Sequence, residues 1–250
     1  MLEQFESFLI FMLSWSGRVW AESFGNLLIH AFDVQGDCSL RITLILILLG
    51  SLLASPAPAR SLDTPMVFQL FGGVPLNFKT RLTVNQDGHD TLKHNASWQS
   101  RPFEQPLYWA LRLRWQRDHH GLELQLLHHK LYLANNPPEI EHFEVTHGFN
   151  ILTFSYVAWT DPIQLRVGLG AVLPSSDSTV RGLSHDAHQY KLAGPALQIG
   201  AGWEKDLSRH LMVAAEGQFI YAWADVDIAD GQARVRSVAL HLLFGLGVGF

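Results

Sequence analysis

The chain has 250 residues, 48% hydrophobic and 16% charged, with a formal net charge of −5. That is leaner in charge than the ~25% of an average soluble protein, and an acidic balance without a basic block argues against nucleic acid as a partner. A lone cysteine, Cys38, excludes an internal disulfide framework, and no apolar run reaches the ~18–20 residues of a transmembrane helix.

Residues 1–60 read as targeting rather than fold. Arg41 is followed by an apolar core, residues 42–54, and Ala57-Pro58-Ala59 offers a small-x-small cleavage site. We therefore expect a signal peptide over 39–59 and a mature start at Arg60, in preference to a buried helix or strand. Glu3 and Glu6 stand where a signal peptide carries lysine or arginine, so residues 1–38 are expected to be an over-extended N-terminus. Cys38 precedes the apolar core and cannot be a lipoprotein cysteine, which leaves the mature chain without cysteine and suited to an oxidising periplasm.

A lead segment, 60–75, then precedes the strands, and its part 66–75 stays open between an extension of the first strand and a short periplasmic plug. Pro75 speaks against simple continuation as a central strand. Eight alternating stretches follow, at 76–84, 107–115, 122–133, 150–158, 163–173, 193–203, 211–221 and 235–250. In the first, Leu76, Phe78, Leu82 and Val84 oppose Asn77, Lys79 and Arg81; in the fifth, Leu165, Val167 and Leu169 oppose Gln164, Arg166 and Gly168. The third slips near Leu126-Leu127, which a β-bulge explains. Connections after strands two, four and six are short, and those at 85–106, 134–149, 174–192 and 222–234 are long. Short turns on one side and long loops on the other are the habit of membrane barrels.

The last stretch is the most informative. Val238, Leu240, Leu242, Phe244, Leu246, Val248 and Phe250 fall on one face, against Ser237, Ala239, His241, Leu243, Gly245, Gly247 and Gly249 on the other. An apolar face over a small-and-polar one suits lipid outside and a crowded lumen inside. This strand, ending on an aromatic residue, resembles the close of bacterial outer-membrane β-barrels, and with the loop alternation the chain resembles the small eight-stranded, OmpA-type barrels over 76–250. The resemblance implies an all-β, closed antiparallel up-and-down transmembrane barrel in the outer membrane of a Gram-negative cell. It also implies contact with outer-membrane lipids and lipopolysaccharide, and recognition of the C-terminal strand by the barrel assembly machinery.

On this reading a polar lumen holds Arg81, Arg112, Arg114, Glu123, Gln125, Arg166, Gln198, Glu216, Gln218 and His241, with Lys79 and Gln164 beside them. Charges in so narrow a space must pair, and eight strands leave room for side chains rather than an open channel. Two aromatic girdles are expected: Trp115, Trp159, Trp203 and Phe250 at the short-turn end, Trp109, Tyr221 and Trp223 at the other.

The third strand and second long connection gather His128, His129, Glu139, Glu141, His142, Glu144 and His147 around Asn135-Asn136-Pro137-Pro138, and His185, Asp186 and His188 follow. Imidazole with carboxylate can hold zinc or copper, but the spacing matches no closed ligand motif, so no metal, cofactor or catalytic residue is assigned. Lipid A deacylases, which share this kind of barrel, carry a histidine-x-serine motif that is absent here; His147, Glu144 and Ser155 are the least poor enzyme candidates. The favoured role is structural or interactive through the external loops. A lipid-modifying enzyme of the outer leaflet and a narrow solute pore are the alternatives, and oligomeric state is open.

Overall fold

A computed structural model describes residues 65–160, 162–186 and 190–250. The expected signal peptide, the over-extended N-terminus and the mature start at Arg60 lie outside the described residues.

The regular elements among them are all strands: β1 (Met66–Asn77), β2 (Thr80–Gln86), β3 (Leu92–Ala96), β4 (Trp98–Gln99), β5 (Trp109–Arg117), β6 (His120–Leu133), β7 (Ile140–Thr160), β8 (Ile163–Pro174), β9 (Asp177–Val180), β10 (Leu183–Asp186), β11 (Gly194–Asp206), β12 (Leu211–Ile228) and β13 (Gly231–Gly249). Eight of them, β1, β5, β6, β7, β8, β11, β12 and β13, pair antiparallel in chain order and close into a ring. The first and last strands seal it where Met66 N donates to Phe250 O at 3.2 Å and Phe250 N to Met66 O at 2.9 Å. Closure leaves the ring no free edge, the condition for a sheet to cross a bilayer.

The final strand behaves as its pattern dictates. Ser237, Ala239, His241 and Leu243 are buried, while Phe244, Leu246, Val248 and Phe250 are exposed. Its inward glycines make room: a Cβ on Gly245 would stand 2.4 Å from Phe71 Cδ1, and one on Gly247 would stand 2.8 Å from Met212 Cγ. The outward faces of β1, β7, β8 and β11 repeat the pattern with Leu70, Phe154, Leu169 and Ile199 exposed. These side chains form the belt of a membrane-spanning barrel.

The first barrel strand begins ten residues before the expected 76. Residues 66–77 are that strand, so the segment 66–75 belongs to the ring and is not a plug. Pro75 is tolerated because β1 pairs with β5 only from Met66 to Phe71 and beyond that has β13 alone, leaving one side free of ladder. Between β1 and β2 the pairing slips: Asn77 faces Ala239 and Thr83 faces Arg234, one residue more on this side. Such a bulge reverses the facing of everything after it. Leu82 and Val84 therefore turn inward, and Lys79 and Arg81 turn out to solvent.

The expected slip near Leu126-Leu127 instead falls between His129 and Leu131, where the facing partners jump from Phe149 to Val145. The long connections also proved largely β-structured. β7, β12 and β13 run on as strands of 21, 18 and 19 residues, whereas ~9–11 suffice to cross a bilayer. The surplus raises the barrel above the membrane. There β3 and β4 turn a corner between β2 and β6, and the hairpin β9–β10 packs beside β7. This extension encloses an apolar core that includes Leu82, Trp98, Leu131, Ile140, Phe143 and Val226.

Candidate functional site

The lumen at membrane level is filled by three arginines and three glutamates. Arg112 is wholly buried; its Nη1 donates to Glu216 Oε2 at 3.0 Å, its Nη2 pairs with the other Glu216 oxygen, and Nη2 also donates to Gln125 Oε1 at 2.6 Å. Its guanidinium lies 4.4 Å over the Phe71 ring. Arg114 grips Glu204 with two nitrogens, at 2.6 and 2.9 Å, and its Nη1 stands 3.4 Å from Glu123. Arg166 pairs with Glu216 and places Nε 3.2 Å from Glu123 Oε2. Gln125 and Gln218 exchange hydrogen bonds at 2.9 Å, and Gln198 is buried on the same inward face. Paired, forked and hydrogen-bonded, these charges meet the condition under which burial is tolerated.

Above this layer lies a second one. His241 Nδ1 and Tyr108 Oη share a hydrogen bond of 2.7 Å, and His129 sets its ring edge-on to His241 with centroids 5.0 Å apart and edge-on to Phe149 at 6.3 Å. His129 and His241 are fully buried, and neither nitrogen of His129 meets a hydrogen-bonding partner among the described residues. Higher still is the apolar core of the extension.

The structure thus brings together Arg112, Arg114, Glu123, Gln125, Arg166, Glu216 and Gln218 in one network, with Gln198 and His241 buried nearby. Arg81 does not join them: the bulge after Asn77 carries it to the exposed face. Two partners were missed. Glu204 follows Trp203 at the end of its strand and reads as a turn residue, yet alternation points it inward. Gln69, whose Nε2 donates to Glu204 Oε1 at 2.8 Å, lay in the unassigned segment. Of the girdle residues, Trp115 and Phe250 are exposed and Trp203 half-buried at the short-turn end, while Trp109, Tyr221 and Trp223 are half-buried on the outward face at the other. Trp159 is a correction: it follows the inward residues Ser155 and Val157, and its ring lies 5.1 Å beneath the Arg114 guanidinium, so it floors the lumen instead of anchoring in the interface.

The raised exterior carries ion pairs beside exposed apolar residues such as Leu183 and Leu192. Arg234 donates to both oxygens of Asp225, at 2.7 and 2.9 Å, and Lys191 Nζ donates to Asp227 Oδ2 at 2.8 Å. That last hydrogen bond holds the Asp227 carboxyl below its ordinary range. His142, Glu144 and Asp177 share the outer face of β7 and β9. Ser155 is buried in the lumen opposite Glu123, eleven residues along β7 from Glu144 (which lies on the raised exterior), so the structure does not unite that pair of enzyme candidates.

No family model and no curated protein matches the chain. Solved structures do match over most of their length: neisserial surface protein A at 10% identity and TM-score 0.39, covering 75% of this chain and 98% of that one; the attachment invasion locus protein Ail of Yersinia pestis at 13% and 0.36, covering 75% and 99%; and the Escherichia coli outer membrane protease OmpT at 8% and 0.39, covering 77% and 99%. At these identities and scores nothing about activity or ligand passes from them to this chain. A closed eight-stranded ring with an apolar belt outside and charges within is the build of the bacterial outer-membrane barrels. The protein is an integral outer-membrane β-barrel.

Proposed function

We propose that this barrel does not conduct and that it works through the surface it raises above the outer leaflet, touching lipopolysaccharide and partners at the cell surface. The observation that carries this reading is the filled lumen, in which Arg112, Arg114, Arg166, Glu123 and Glu216 are each no more than 4% exposed apart from Glu216 at 7%. A solute would have to part this network and then the Tyr108–His129–His241 layer. Eight strands enclose only enough space for side chains, and here the space is taken. The extension above, with its own apolar core, gives a strand-built outer surface that carries ion pairs. Phe250, paired to Met66 at the seam, is the residue through which we expect the assembly machinery to read the last strand.

The test is conductance of the purified protein in planar bilayers, alongside its binding to lipopolysaccharide-coated beads. No unitary current steps together with saturable binding is the expected result. Discrete steps of stable size would overturn the non-conducting reading, and absence of binding would remove lipopolysaccharide as the contact.

A further inference from the structure

The raised exterior holds a cluster that the lumen and the membrane belt leave unused. On β7, His142 and Glu144 both lie on the outer face, and Asp177 of β9 is the cross-strand partner of Glu144. His142 reaches that face by a register shift between Ile140 and His142: Ile140 and Phe143 are buried, while Glu141 and His142 are both exposed. A bulge that turns two successive side chains to one side is a common way of aiming a residue at a site. The donor atoms of His142, Glu144 and Asp177 all lie within 4.8 Å of one another. His142 Nε2 stands 3.5 Å from Glu144 Oε2 and 4.0 Å from Asp177 Oδ2.

We propose that these three side chains form a binding site for a divalent first-row transition metal ion, with Zn2+ the natural probe. Donors bound to one tetrahedral ion at bond lengths of about 2.1 Å lie about 3.4 Å apart, so the cluster needs only a small contraction to close on a metal. One imidazole with two carboxylates is a donor set that zinc accepts. The charge layout favours the same occupant. Glu144 and Asp177 are cross-strand partners on β7 and β9 with His142 between them, so a dication bound there would meet two carboxylates at once. Two of the ligands sit two residues apart on one strand and the third is hydrogen-bonded beside them through the sheet, so the geometry is held by the ladder instead of a loop. The site is open to solvent, with side-chain exposures of 47% for His142, 20% for Glu144 and 38% for Asp177, so an ion can reach it. This inference goes beyond the surface-contact reading and does not depend on it.

The experiment is calorimetric titration of ZnCl2 into the chelator-stripped protein in detergent, with conductance and lipopolysaccharide binding measured separately on the same preparation. One saturable equivalent is expected, weakened at least tenfold by His142→Ala and again by Asp177→Asn, and unchanged by His89→Ala, an exposed histidine on the turn after β2. The faster gel migration of the unheated, folded barrel checks that each variant is intact. Absence of a saturable equivalent in the unaltered protein overturns the proposal. So does binding that survives both His142→Ala and Asp177→Asn.

Discussion

Strand β12 carries two opposite solutions to the same alternation. In its lower half Glu216 and Gln218 point inward while Val213, Ala215 and Phe219 face lipid. In its upper half Ala222, Ala224, Val226 and Ile228 point inward while Tyr221, Trp223, Asp225 and Asp227 face out. The backbone, pairing and pleat do not change along the way. What changes is the solvent: hydrocarbon below, water above. Where the outside is apolar, the barrel fills its interior with a self-neutralising polar network. Where the outside is water, it fills the same interior with an ordinary hydrophobic core, as a soluble β-protein does. The Tyr108–His129–His241 layer marks the change: one imidazole nitrogen shares a hydrogen bond with Tyr108, and three others meet no partner among the described residues.

The difference can be broken most severely in the network. Glu216→Ala leaves Arg112 and Arg166 facing each other across a buried gap. Urea unfolding of the barrel in detergent micelles should register a loss of about 3–5 kcal/mol. In the upper region the matching change, Asp225→Ala, removes an ion pair whose members are 39% and 50% exposed, and the same measurement should move far less, because water screens such a pair. Equal losses at both sites would show that the two interiors do not differ as described.

Leu131 is fully buried in the upper core, so Leu131→Ala should cost about 2–5 kcal/mol. Because that core lies above the membrane, the loss should be read as faster protease cleavage of the extension, with the gel mobility shift of the unheated barrel kept. The lipid face is tested by Leu169→Arg, at a side chain 67% exposed on the belt. A cation there should destabilise by about 2–4 kcal/mol, whereas His89→Arg on the exposed turn after β2 should stay within about 0.5 kcal/mol. If Leu169→Arg is silent in folding from urea into lipid bilayers, that face does not meet hydrocarbon.

The smallest expected effect is electrostatic and lies on the extension. The Asp227 carboxyl is held below its ordinary range, first by the hydrogen bond from Lys191. A group whose folded pKa is depressed contributes stability above its unfolded pKa, and that contribution is lost as pH falls through the folded value. The pair is partly exposed, so the contribution is below about 1 kcal/mol. A titration of stability from neutral pH into the acid range should therefore fall slightly less in Asp227→Asn than in the unaltered protein. An unchanged acid limb would mean that Lys191 does not hold this carboxylate in solution.

Much of the barrel was legible in the chain. The run 235–250 displays its two faces residue by residue, and the closing strand has them as read. Arg112 and Arg114, set two apart across a short turn from Glu123 and Gln125, announced a pairing that the structure contains. The upper part of β12 was equally legible, since Ala222, Ala224, Val226 and Ile228 alternate cleanly with Trp223, Asp225 and Asp227. The sequence pattern places 222–234 among the long connections, yet the same alternation continues there with its sign reversed, apolar inside and polar outside.

Strand count, belt and the inward position of most charges follow from the amino acids alone, because a period of two with one apolar face is a local property of the sequence. Three matters needed the tertiary structure. The bulge after Asn77 sends Arg81 outward, since a single extra residue inverts every later side chain and leaves no trace in composition. Alternation along β7 turns Trp159 inward, but its contact with the Arg114 guanidinium of another strand shows only in the folded barrel. And His142, Glu144 and Asp177 meet only because β9 folds back beside β7, joining residues 35 positions apart that no spacing in the chain connects.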